Sequence, residues 1–178
     1  MPKLEKFLKD RLKNAKKVAL LAIGSDLRSD DAAGLLVAEE VKRLLKKPAR
    51  NFKIFIGATA PENLTGDIKR FTPSHIILVD SVEFGEKPGS IIVLSPRDIG
   101  DGVSFSTHKM PSRVLMQYFS NSFECDPFLI GIQPASVDLG KPPSRLVMNS
   151  SREVAAVIAK AVGNGQRAKR ISFAGARN

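Results

Sequence analysis

Val18-Ala19-Leu20-Leu21-Ala22-Ile23-Gly24-Ser25-Asp26-Leu27-Arg28-Ser29-Asp30-Asp31 is the stretch that decides the fold. Six apolar residues without alternation predict a strand buried on both faces, as in a parallel sheet covered by helices. Gly24 ends it. A helix is predicted from about Asp31 to Leu45, with Leu35, Leu36, Val41, Leu44 and Leu45 facing inward. Ser29 or Asp30 is placed to cap its start.

Outward from this unit, the same alternation continues. Leu4, Phe7, Leu8, Leu12 and Ala15 recur at helical spacing and predict an amphipathic first helix with a basic outer face. Asn51 to Ile56 reads as a second strand. Thr59-Ala60-Pro61-Glu62 has the form of a capping box with proline at the first helical position. Leu64, Ile68 and Phe71 supply that helix's apolar face. Ile76 to Val79 is a third, central strand. The link from Ser81 to Ser90 holds Gly85, Pro88 and Gly89, too short and broken for a crossover helix. Ile91-Ile92-Val93-Leu94 is therefore expected antiparallel to the third strand. A helix over Pro111 to Phe119, a strand over Phe128 to Ile132 and a helix over Ser150 to Val162 complete the pattern. The prediction is a single α/β three-layer sandwich: a five-stranded, mostly parallel twisted sheet with one antiparallel strand and helices on both faces. The domain is expected to span residues 1–163, with 164–178 a basic, flexible C-terminal tail.

The net charge of +10 is unevenly placed. Residues 1–17 carry seven basic and two acidic side chains, and residues 164–178 carry four basic and none acidic. The body between is nearly neutral, which disfavours a nucleic-acid-binding face, as does the presence of one Tyr and no Trp for base stacking. No stretch approaches the roughly 20 apolar residues needed to cross a bilayer, so no membrane insertion is expected. No apolar signal core follows the Lys-rich start. The single cysteine, Cys125, cannot form an internal disulfide, and a cytoplasmic setting is expected.

Ligands of such sheets bind beyond the carboxyl ends of the strands. Asp31, after the first strand, and Asp80, closing Ile76-Ile77-Leu78-Val79-Asp80, both fall there. His108 stands in the loop Ser106-Thr107-His108-Lys109-Met110-Pro111. Two carboxylates and an imidazole suit a borderline divalent metal such as nickel or zinc. Each has a plainer alternative. Asp30 and Asp31 would also complement the helix dipole, Asp80 would also start a turn, and a lone loop histidine is commonly just exposed. His75, at the start of the third strand, stands at the wrong end of the sheet for this cleft and reads as structural or exposed. Cys125 has no histidine at a revealing spacing and reads as inert. There is no Gly-x-Ser-x-Gly elbow and no His-Glu-x-x-His helix. The turn Gly24-Ser25-Asp26 is neither a P-loop nor a dinucleotide fingerprint, and its acid would repel a phosphate.

The ordered set Ala22-Ile23-Gly24-Ser25 through Asp30-Asp31, Ala60-Pro61-Glu62-Asn63, Leu78-Val79-Asp80-Ser81, Thr107-His108-Lys109-Met110-Pro111 and Gly131-Ile132-Gln133-Pro134 resembles the [NiFe]-hydrogenase maturation endopeptidases, HycI-type branch. The resemblance spans about residues 18–162. It implies a cytoplasmic endopeptidase that removes the C-terminal extension of a hydrogenase large-subunit precursor after nickel insertion. It implies Asp31, Asp80 and His108 as the catalytic, metal-contacting trio. The nickel would be carried by the precursor, with another divalent metal such as zinc taking its place in the isolated protein. Ala22 and Ser25 replace the usual Gly and Asn of the first motif. Ser25 can still hydrogen-bond a turn, so the loop geometry should survive. The alternative is a non-catalytic metal- or small-ligand-binding module on a flavodoxin-like scaffold.

Overall fold

A computed structural model describes residues 1–46, 50–99 and 111–174. The elements run α1 (Pro2–Arg11), β1 (Val18–Ile23), α2 (Ala33–Leu45), β2 (Phe52–Ala58), α3 (Thr65–Phe71), β3 (His75–Ser81), β4 (Ile91–Leu94), α4 (Pro111–Ser122), β5 (Asp126–Ile132) and α5 (Arg145–Ala174). Three short 3-10 turns, Ser29–Ala32, Pro61–Leu64 and Pro96–Ile99, punctuate them.

One five-stranded sheet has the order β2-β1-β3-β5-β4. The pairs β1–β2, β1–β3 and β3–β5 are parallel, and β4 alone runs antiparallel; it pairs with β5 and not with the expected β3, because β5 lies between them. This is the three-layer arrangement that the sequence predicts. Every residue of β1 is buried because the strand carries helices on both faces. Leu20, Ala22, Ile77, Val79, Phe128 and Ile130 pack under α1, α2 and α5. Leu21, Ile76, Leu78 and Leu129 pack under Ile68 of α3 and Met116 and Phe119 of α4. The alternation of strand side chains splits the core into these two layers.

Four local readings need correction. First, α2 faces the sheet with Ala33, Gly34, Val37, Ala38 and Val41, whereas Leu44 is 40% exposed. The reason is proximity: a methyl on Gly34 would stand 2.3 Å from the Ile23 carbonyl oxygen and 2.4 Å from that of Val79. Only small residues let the helix start approach so closely. Second, neither Ser29 nor Asp30 caps α2, whose N-cap is Ala32 without a side-chain bond. Third, Thr59 caps nothing: a 3-10 turn begins at Pro61, and Thr65 instead donates its hydroxyl to the Glu62 carbonyl at 2.8 Å. Fourth, α5 runs from Arg145 to Ala174, longer at both ends than the expected Ser150 to Val162. Extending a helix already anchored by packing is far cheaper than nucleating one, and Gln166, Arg167, Ala168, Lys169 and Arg170 are good helix formers.

The amino ends of the strands are closed by a polar cluster. Arg11 at the end of α1 donates through Nε to Asp126 Oδ2 at 2.6 Å and through its terminal nitrogen to Oδ1 at 2.5 Å. Its guanidinium also lies over the Phe7 and Phe128 rings. His75 Nε2 is 3.7 Å from Asp126 Oδ2, and Ser74 Oγ is 3.0 Å from His75 Nδ1. Burial pushes the His75 imidazole below its ordinary pKa, against the opposing pull of Asp126. His75 is thus structural. Among the described residues, no helix is long and apolar enough to cross a membrane.

Candidate active site

The chain leaves β1 toward β2 on one side of the sheet and reaches β5 and β4 from β3 on the other. The loops after β1 and β3 therefore leave the sheet's carboxyl edge in different directions, which makes the gap between these strands the topological switch point. That switch point is where open α/β sheets bind ligands. Asp31 follows β1 in the 3-10 turn Ser29–Ala32, and this turn packs against β3. Asp80 is the penultimate residue of β3, in register with Gly131 of β5. Asp31 is 9% exposed and Asp80 3%. Strand alternation puts Asp80 on the same face as Ile76 and Leu78, the face covered by α4. The structure brings these two acids to one rim. His108 lies outside the described residues, and among those described no three His, Cys, Asp or Glu side chains are placed to hold a metal ion.

Gly24 is what lets the turn close. Its φ is +135°, and a methyl there would sit 1.8 Å from the Asp31 carbonyl oxygen. Its N–H donates to the Ala58 carbonyl at 3.0 Å. Ser25 does what its position requires: its N–H donates to the Asp31 carbonyl at 3.2 Å, and its hydroxyl accepts from the Leu27 N–H at 3.3 Å.

Asp30 has a different task from Asp31. Fully buried, it turns away from solvent into the loop after β5. Its Oδ2 accepts the N–H groups of Ala135 (2.8 Å) and Ser136 (3.3 Å), and its Oδ1 accepts that of Ser144 (2.6 Å). No spacing rule could reveal partners more than a hundred residues away. The available clue was the loop itself, where Pro134, Pro142 and Pro143 bar regular structure and leave backbone amides to be satisfied by side chains.

Gln133 is a further residue the sequence left without a role. It is 5% exposed, and its side-chain oxygen accepts the N–H of Phe84 at 2.9 Å and of Glu86 at 3.3 Å. It thereby fixes the loop that follows Asp80. Cys125 lies at the opposite edge, half-buried, with its thiol pushed up to about 11 by burial and by the Asp126 charge. It is inert, as read from the sequence.

A family model for HycI, hydrogenase maturation protease, matches residues 35–167. The chain belongs to the hydrogenase maturation protease family. It is 30% identical over 146 residues to the hydrogenase 3 maturation protease of Escherichia coli K12, covering 82% of this chain and 91% of that protein. It is 28% identical over 140 residues to a putative hydrogenase maturation protease of Methanocaldococcus jannaschii, covering 76% and 82%. The crystal structure of a [NiFe] hydrogenase maturation protease HycI from Thermococcus kodakarensis superimposes with a TM-score of 0.79 at 33% identity, covering 88% of this chain and 99% of the other. The sheet and its helices are those of this family, and its chemistry is peptide-bond hydrolysis.

Proposed function

We propose that this protease removes the C-terminal extension of a [NiFe]-hydrogenase large-subunit precursor after nickel insertion, and that Asp31, Asp80 and His108 contact the nickel the precursor brings. The observation that carries this reading is the placement of two buried acids on adjacent strand ends at the sheet's switch point. Buried carboxylates at such a mouth suit a cation, and oxygen donors with one imidazole suit a borderline divalent ion. The same set would take zinc in the isolated protein. Asp31, Asp80 and His108 would hold the nickel of the precursor, which would orient its tail, and a carboxylate of the pair would accept the proton of an attacking water.

The substrate is a protein, so its tail needs a rim to rest on. Leu27 (66% exposed) and Leu139 (71%) stand beside the turn that carries Asp31, joined by the Gly140 N–H donating to the Leu27 carbonyl at 2.8 Å. Lys141 pairs with Asp138 at 2.7 Å next to them, and the Arg28 charge also acts on Asp138. An apolar centre with a charged border is the anatomy of a protein contact, here a transient one. The proposed setting is the cytoplasm. The basic α1 and the basic C-terminal end would speed encounter with an acidic partner, and a cleavage rate insensitive to salt would rule that out.

The test is mass spectrometry of a co-expressed nickel-loaded large subunit, with and without this protein. Shortening of the precursor is expected. If Asp31→Ala, Asp80→Ala and His108→Ala all process at the wild-type rate, the site is elsewhere.

A further inference from the structure

The turn that carries Asp31 does not hold itself. Seven hydrogen bonds tie residues 27–30 to residues 135–144. Three go to the Asp30 carboxylate from the amides of Ala135, Ser136 and Ser144. The Asp30 N–H returns one to the Ser136 carbonyl at 3.1 Å, and the Gly140 N–H reaches the Leu27 carbonyl. Ser29 gives its N–H to the Lys141 carbonyl at 3.1 Å and its hydroxyl to that of Pro142 at 3.0 Å. Ser29 also has a φ of +45°, a left-handed backbone that a serine adopts only when its surroundings impose it.

We propose that Asp30 is a positioning residue: its buried carboxylate, locked by three backbone amides of the 135–144 strap, fixes the strained turn that presents Asp31 at the switch point. The inference rests on the reading of Asp31 given above. Three features support it. The bonds are charge-assisted and leave neither oxygen of Asp30 idle. The strap leads directly into α5, which packs on α2, so the turn is referenced to the core and not to another loop. And the next residue after Asp30 is Asp31, so a rotation of the turn moves the acid directly.

The experiment compares Asp30→Asn, Ala135→Pro and a distant core variant, Ile68→Ala. Asparagine keeps the shape but presents an NH2 group where the amides donate. Proline at 135 deletes one donor and leaves Asp30 intact. Ile68 lies on the opposite face of the sheet and serves as a control for lost stability. All are assayed on nickel-loaded precursor at a temperature where urea titration shows each fully folded. Binding of zinc alone is measured by calorimetry in parallel. Asp30→Asn is expected to lower kcat about 100-fold, the scale of a misplacement near 1 Å, with KM within about threefold of wild type. Ala135→Pro should show the same split, smaller, and Ile68→Ala should show none. Zinc affinity should fall with kcat in the two strap variants. A folded Asp30→Asn that processes at the wild-type rate overturns the proposal. So does a loss that Ile68→Ala reproduces at equal stability. If Asp31→Ala also processes normally, the reading of the site has failed. If only Asp30→Asn does, the positioning role has failed alone.

Discussion

The two ends of the sheet both gather acids, and they use them differently. At the amino end, Asp126 is engaged by a guanidinium and faces an imidazole, and the result is a joint between α1 and β5. At the carboxyl end, the Asp30 carboxylate accepts from three backbone amides, those of Ala135, Ser136 and Ser144. A guanidinium pairs a carboxylate with an opposite charge, whereas backbone amides fix its orientation. The comparison separates an acid that ties two elements together, Asp126, from one that sets a turn, Asp30, beside the proposed site acid Asp31.

The largest expected effect breaks the comparison at the carboxyl end. Asp31→Ala or Asp80→Ala should slow precursor processing by about three orders of magnitude, as when several kcal/mol of metal contact are lost. Circular dichroism should show the fold intact. Next is Gly24→Ala, whose methyl would collide with the Asp31 carbonyl. It should cost about 3 kcal/mol or more in urea titration and take activity with it. At the amino end, Arg11→Ala should cost only about 1 kcal/mol, because Arg11 and Asp126 are 27% and 39% exposed and solvent screens the pair. Processing by that variant should be unchanged, and a large loss would show the two ends to be coupled. The smallest effects are titrations. The depressed His75 means the unfolded chain binds its proton first as pH falls. His75 therefore contributes stability above the ordinary histidine pKa that drains away below it, and His75→Gln should flatten that acid limb. Cys125 behaves oppositely. Its raised thiol favours the folded state below pH 9 and loses that contribution as pH rises toward about 11. Cys125→Ser should flatten the alkaline limb of the same curve.

Much of this contrast was legible in the sequence. The apolar runs Val18 to Ile23 and Ile76 to Val79 both read as buried strands, and together they place Asp31 and Asp80 at the same edge. The antiparallel β4 followed from a link too short to cross the sheet. What stayed hidden depends on distance in space. Val41, Leu35 and Leu45 of α2 do pack on the core, but Gly34 at the point of closest approach was missed because hydrophobic weight points to leucines while two carbonyls select a residue with no side chain. Thr59 has the letters of a capping box, but the chain tightens into a 3-10 turn before its side chain can be used. Asp30 and Asp31 are indistinguishable as letters, and only the strap, folded back from beyond residue 134, divides their work. The helical reach of α5 to Ala174 was missed because composition describes a segment alone and not as the continuation of a packed helix.

Gly34 has one more consequence. The start of α2 rests on carbonyl oxygens of both β1 and β3, with no space for even a methyl group between. Two strands and the helix beside them therefore meet at a hinge with no play, and the switch point inherits their tolerance. In a library randomised at position 34, survivors with any side chain should be absent or should carry a second change that lifts the helix. The spacing of the acids would then be something the chain inherits from a hydrogen atom.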